Sequence, residues 1–307
     1  MSIGSIGTHL AFVIRPRDRT NYMNTNDSEV MGTPSRFYIS METLTRKLWL
    51  YAIIFLLCLI PPWSSGSYHG FAELTQLVKY VAEFLIAKKL VLVPLMPYFH
   101  VAMLLLFASL FVWGNRFGRV FSLIAGLHFL WILYMQTGAI TDKYGLVFYP
   151  NAFILIFLIS LGWFWEAIVR RTDFTFKPIP PQRYLIVAAA VFSFWNPDKV
   201  GNYSLLQLMT STSPIAYCMI STIYLAILCV LYPRINLPFF RITSFISIVI
   251  GIVTVGIGFS FDDPTIGRHW SLLHTPMVAV SVYCFVLGLK RPNSDELQLS
   301  VPAPKKN

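Results

Sequence analysis

The sequence predicts an all-α fold: a polytopic integral membrane bundle of about eight transmembrane helices with one interfacial amphipathic helix. Three observations predict it. Only 12% of the 307 residues are Asp, Glu, Lys or Arg, about half the share of a soluble chain. Hydrophobic residues make up 56% and the mean hydropathy is +0.62, room for roughly eight spans of about 20 residues plus loops. The basic residues favour alternate gaps between apolar runs: Arg46/Lys47, Arg116/Arg119, Arg170/Arg171/Lys177/Arg183, Arg234/Arg241 and Lys290/Arg291. The other gaps hold Asp142/Lys143, Asp198/Lys199, and Asp262/Asp263 with Arg268. This is the positive-inside pattern, and it places both termini in the cytoplasm. The expected location is therefore the cell membrane.

Residues 1–45 read as a polar, disordered cytoplasmic tail. They carry Arg15, Arg17, Arg19 and Arg36 and lack the apolar core and cleavage site of a signal peptide. Met41 is an alternative start to Met1. The transmembrane domain is 46–290, and 291–307 form a cytoplasmic C-terminal tail. Span one runs from about Lys47 to Pro61-Pro62-Trp63. After a loop, Phe71, Leu74, Leu77, Val78, Val81, Phe84 and Leu85 repeat at helical spacing, with Glu73, Gln76, Lys79 and Glu83 opposite. That pattern predicts an amphipathic helix lying at the outer interface or on the protein's own outer surface. Lys88 and Lys89 argue against a further span here.

Span two is about Leu95 to Trp113, span three Val120 to Gln136, and span four Leu146 to Val169. Span five, Arg183 to Trp195, is short, reaching only about 20 Å of a roughly 30 Å hydrocarbon core. It stops at Asn196-Pro197-Asp198. A semi-polar stretch with Gln207 and Thr210-Ser211-Thr212-Ser213 leads to Pro214, where span six begins. Span seven is about Ile242 to Phe261 and span eight Trp270 to Leu289. Trp63, Trp113, Trp163/Trp165, Trp195 and Trp270 fall near the expected interfaces, where amphipathic rings settle.

The two halves echo one another. Arg46, Pro-Pro-Trp, Gly66 and Tyr68 match Arg183, Trp-Asn-Pro, Gly201 and Tyr203; Pro97, Arg116 and Gly126 match Pro214, Arg234 and Gly251. A 4+4 duplication with an even number of spans per repeat is a parallel repeat about the membrane normal.

The sequence excludes several chemistries. It has no Walker phosphate loop, no dinucleotide fingerprint in a soluble βαβ context and no His-Glu-x-x-His. Gly256-Ile257-Gly258 lies in an apolar span and reads as close helix packing. Cys58, Cys218, Cys229 and Cys284 sit inside apolar runs without a Cys-x-x-Cys pair, so they read as small apolar side chains. No cofactor or metal is expected. His269 and His274 are five apart, which puts their rings on different helix faces. The net charge of +10 is spread over loop ends, which suits anionic lipid head groups better than nucleic acid.

Candidate site residues follow from what hydrocarbon cannot satisfy. His128 lies mid-span, where an ionisable group marks either a function or a hydrogen bond to a neighbouring helix. Irregular backbone at membrane depth survives only in protein or beside a wet cavity. That points to Asn196, Gln207, Thr210, Ser211 and Ser213 around the short span five, as neutral hydrogen-bonding groups for a small solute; the plainer reading is a loop with a Ser/Thr cap. Glu166 is expected to pair with Arg170, one turn on. The leading functional expectation is a permease, or membrane subunit of a transport system, for a small organic solute. The alternatives are a membrane-embedded enzyme on a lipid or quinone-like substrate using His100, His274 and the aspartates, and a structural subunit bound to partner membrane proteins.

Overall fold

A computed structural model describes residues 36–66, 73, 76–77, 91–197, 201, 203–259 and 261–290. Of the described residues 74% are helical, and among them are five helices long and apolar enough to cross a membrane. In chain order the helices are α1 (Arg36–Leu44), α2 (Leu48–Cys58), α3 (Met96–Trp113), α4 (Asn115–Gln136), α5 (Pro150–Val169), α6 (Gln182–Trp195), α7 (Gln207–Thr210), α8 (Tyr217–Leu231), α9 (Leu237–Gly258) and α10 (Pro264–Leu289). The five long ones are α3, with its leading 3-10 turn, α4, α5, α9 and α10; α2 and α6 are apolar but shorter. The segment from α7 through Ile215 and α8 form a sixth candidate, bent by 94°. Apolar side chains such as Leu105, Phe111, Leu127 and Ile252 are exposed on the bundle surface. Such a surface suits lipid rather than water and fits a multi-pass membrane protein.

Two antiparallel hairpins dominate the packing. In α4 and α5, Ser160 Oγ donates to Gly126 O at 2.8 Å. In α9 and α10, Trp270 Nε1 donates to Thr254 O at 3.0 Å and Ser271 Oγ to Val255 O at 2.9 Å. A Cβ on Gly258 would lie 2.7 Å from Gly267 O, and one on Gly267 2.2 Å from Gly258 O. Two backbones therefore touch where only glycines fit. Gly256 meets nothing within 4 Å, so of the pair expected to pack closely only Gly258 does.

Each half has a 3-10 turn holding a proline ahead of a helix: Val93–Leu95 before α3 and Ser213–Ile215 before α8. Proline lacks an N–H, and the first turn of a helix has no use for one.

The fold departs from the all-α expectation at one end of the bundle. Strands β1 (Trp63–Ser64), β2 (Gly138–Thr141) and β3 (Gly145–Phe148) form an antiparallel sheet in the order β1-β3-β2. Gly145 at φ +65 makes the tight β2–β3 turn. Leu77, fully buried, belongs to a cluster with Ala139, Tyr144 and Val147 on this sheet. Glu73, Gln76 and Leu77 are helical; the rest of the expected amphipathic helix, and Lys88/Lys89, lie outside the described residues, as do 1–35, Asp198/Lys199 and 291–307.

The opposite end is the basic end, and there the expected tail differs from the structure. Residues 36–44 form α1, which Glu42 fastens by bonds to Arg46 and Arg241 at 2.8 and 2.9 Å, while Phe37 packs edge-on against Trp165. Arg241 is wholly buried rather than facing lipid: Nε donates to Gly288 O at 2.7 Å and an Nη to Thr45 Oγ1 at 3.1 Å. Arg183, also buried, donates to Tyr232 O at 2.7 Å. These two arginines satisfy carbonyls at helix ends that a bundle interior leaves without water.

Candidate functional site

The α7–α8 break is the centre of the buried polar structure. Pro214 supplies no N–H, and Ala216 is extended at φ −101, ψ 119, so the carbonyls of Pro214 and Ile215 have no helical partners. Helix α4 supplies them. His128 Nε2 lies 2.6 Å from Pro214 O, and Gln136 Nε2 donates to Ile215 O at 2.6 Å. A carbonyl only accepts, so Nε2 carries the proton. His128 Nδ1 then accepts from the Tyr224 hydroxyl at 3.2 Å. His128, half-buried, thus has both ring nitrogens bonded across the break.

His100 does similar work from α3. Its Nδ1 donates to Met96 O at 2.9 Å, which makes Nε2 an acceptor. Ser213 Oγ donates to Phe194 O at 2.7 Å, which leaves the Ser211 hydroxyl, 3.3 Å from Nε2, to supply that proton. Spacing alone could not pair His100 with residues more than a hundred positions away.

The remaining candidates divide. Thr210 bonds back to Leu206 O at 3.1 Å, within its own segment. Its proton is engaged, as those of Ser and Thr hydroxyls often are in helices, which leaves only acceptor capacity. Gln207 and Asn196 differ. Gln207 is 4% exposed, and neither its Oε1 nor its Nε2 has a hydrogen-bond partner among the described residues. Asn196, 3% exposed at the left-handed end of α6, has an unpartnered Oδ1. So five of the six residues form two sets, His128, Ser211 and Ser213 bonded around the break alongside His100 and Gln136, and two open amides, while Thr210 bonds within its own segment.

Two further histidines bond backbone carbonyls. His269 Nε2 bonds Pro197 O at 2.8 Å, and His274 Nδ1 bonds Trp270 O at 2.7 Å while stacking on that ring. Asp263 accepts from Thr265 N at 2.7 Å as the cap of α10. Among the described residues no group of three or more His, Cys, Asp or Glu is arranged to hold a metal ion.

At the basic end lies a cleft of about 290 Å³, between α4 and the irregular segment after α5. Glu166 stands in its lining. It does not pair with Arg170, because α5 ends at Val169 and Arg170 turns left-handed at φ 52. Glu166 Oε1 instead accepts from Thr172 N at 2.7 Å, and Oε2 makes no fully formed hydrogen bond, with the Asn236 amide beside it. Asp173 holds Arg234 and accepts from Asn115 Nδ2 at 2.6 Å.

No protein-family model matches the chain, and neither the curated proteins nor the solved structures compared contain a match.

Proposed function

We propose that this chain is a permease, or the membrane subunit of a transport system, for a small neutral organic solute. It crosses the cell membrane eight times as a 4+4 parallel repeat, with both termini cytoplasmic and lipid around its apolar surface. The observation that carries the reading is the Gln207 amide, buried and unpartnered at both ends at the head of a broken span. Discontinuous helices supply solute sites in many transporters, and an unmet buried amide costs about 1–3 kcal/mol until something bonds it. A solute hydroxyl or amide meets that need, with Asn196 Oδ1 as a further acceptor. The matched proline-bearing 3-10 turns and the matched long hairpins support the repeat.

The test is stopped-flow light scattering on proteoliposomes of the full chain, challenged with urea, glycerol and neutral amino acids. Protein-dependent flux of one of these is expected, reduced tenfold or more in Gln207→Leu and little changed in Thr210→Val. Absence of protein-dependent flux across the panel, or full flux in folded Gln207→Leu, overturns the reading.

A further inference from the structure

The cleft at the basic end carries an inference independent of the permease reading. Its mouth and its floor ask for opposite chemistry. Arg119 and Arg170 are exposed and make no side-chain hydrogen bond or ion pair with any described residue. Arg171 joins them, its guanidinium held 4.7 Å from the Tyr38 ring centre. The two acids nearby do not neutralise this group. Asp173 is taken by Arg234 and Asn115, and Glu166 is turned onto the Thr172 backbone. Guanidiniums in this state are ready for the oxygens of a phosphate.

The floor holds acceptors. Glu166 and Ser122 are each 1% exposed; Ser122 Oγ is buried without a hydrogen bond, and Glu166 Oε2 has no fully formed one, with the Asn236 amide, itself unsatisfied, beside the carboxylate. Buried polar atoms in native proteins are almost always bonded to something. A simple phosphate would satisfy the arginines but bring its charge toward the carboxylate below. A simple amine would satisfy the carboxylate and leave the arginines idle. A zwitterion with an anion at one end and N–H donors at the other satisfies both. At about 290 Å³ the cleft lies at the lower limit of ligand pockets, which run from roughly 300 to 1,000 Å³. That is a head-group-sized space.

We propose that this cleft binds a phosphorylated primary amine, the phosphoethanolamine group, with its phosphate between Arg119, Arg170 and Arg171 and its ammonium on Glu166 and Ser122. Two sources present that group: a free phospho-amine and the head group of phosphatidylethanolamine. A trimethylated ammonium has no N–H to give, so phosphocholine binds much more weakly.

Two arms of one experiment use the full chain. In detergent, calorimetry measures O-phosphoethanolamine, phosphocholine and inorganic phosphate. In nanodiscs of equal phosphatidylethanolamine and phosphatidylcholine, native mass spectrometry counts the lipids retained on ejection. A preference of tenfold or more for the primary amine is expected in at least one arm, and the arm that shows it names the source. Glu166→Gln weakens phosphoethanolamine tenfold or more while leaving inorganic phosphate unchanged or tighter. The double change Arg119→Gln with Arg170→Gln weakens both. Ser122→Ala, a one-atom deletion the bundle tolerates, weakens the amine ligand alone, about threefold. The proposal is overturned if neither arm shows binding, if phosphocholine binds equally, or if neither Glu166→Gln nor Ser122→Ala separates the amine ligand from phosphate.

Discussion

His128 shows what decides the fate of one buried polar group. An imidazole at mid-span reads either as a functional group or as a bonded core residue, and its partners are not visible in the sequence. Pro214 O and Tyr224 OH occupy both ring nitrogens, and those partners are 86 and 96 residues away, where no local spacing points to them. Replacing His128 by Leu strands a carbonyl and a hydroxyl, at about 1–3 kcal/mol each. Glutamine places its amide nitrogen near the position of Nε2. Thermal unfolding in detergent should therefore fall clearly for His128→Leu and much less for His128→Gln. Equal melting for both would show that the bonds contribute little. Asp173 gives a second residue-scale prediction. Partial burial pushes its carboxyl upward, but the Thr175 N–H and hydroxyl, the Asn115 amide and the Arg234 guanidinium outweigh this and hold it below the ordinary carboxylate range. A depressed folded value adds stability above the unfolded pKa of about 3.9 and loses it as pH falls through the folded one. Wild type should exceed Asp173→Asn by roughly 1–2 kcal/mol at pH 7, discounted for its half-exposed setting. That gap should stay flat to about pH 5 and close below about pH 4. A gap unchanged at pH 3 would mean that charge plays no part.

Helices and strands were unequally legible, for physical reasons. Runs of apolar residues bounded by charge announce helices directly, and every expected span contains one. The sheet was hidden because β2 and β3 have four residues each and β1 has two. Moreover, Gly145–Phe148 merges in sequence with the apolar run of α5. The break before α8 was legible as Pro214 after a hydroxyl run, but not its 94° bend, which depends on the helices packed around it. Glycines in α9 could not be ranked from sequence, since contact depends on rotation about the axis. The structure ranks them. Gly267→Ala drives a methyl into Gly258 O, a backbone atom that cannot rotate away, and should destabilise by about 1–3 kcal/mol as α9 and α10 part. Gly256→Ala enters open space and should be neutral or slightly stabilising, by up to about 1 kcal/mol. Melting temperatures of the two variants in the same detergent compare them directly; a Gly267→Ala protein as stable as Gly256→Ala would refute the close approach.

At the scale of the whole molecule the alternation of charge was the strongest sequence signal, and the short helices are where it meets difficulty. Helix α6 has 14 residues and α2 has 11, about 21 and 16 Å of rise, well below a 30 Å core. Their end contacts show how far each reaches along its neighbours. Arg183, at the start of α6, reaches Tyr232 O just past the end of α8, and Phe194, at its other end, holds Ser213 just before α8 begins. So α6 runs the full length of α8. Cys58, at the end of α2, accepts from Asn151 at the start of α5, while Tyr51 packs between Phe245 and Phe285 toward the basic ends of α9 and α10. Buried Arg183 and Arg241 close the basic end where these helices stop short. The prediction is eight crossings with the basic end inside. In a background lacking Cys58, Cys218, Cys229 and Cys284, single cysteines at Asp142, Ser65, Tyr203 and Asp263 should react with an impermeant maleimide added outside. Cysteines at Lys47, Arg116 and Gln182 should react only after permeabilisation. If Lys47 and Ser65 label from the same side, α2 does not cross; the same outcome for Gln182 and Tyr203 removes α6. External labelling of Arg116 with protection of Asp142 inverts the whole molecule and turns the arginine cleft to the outside.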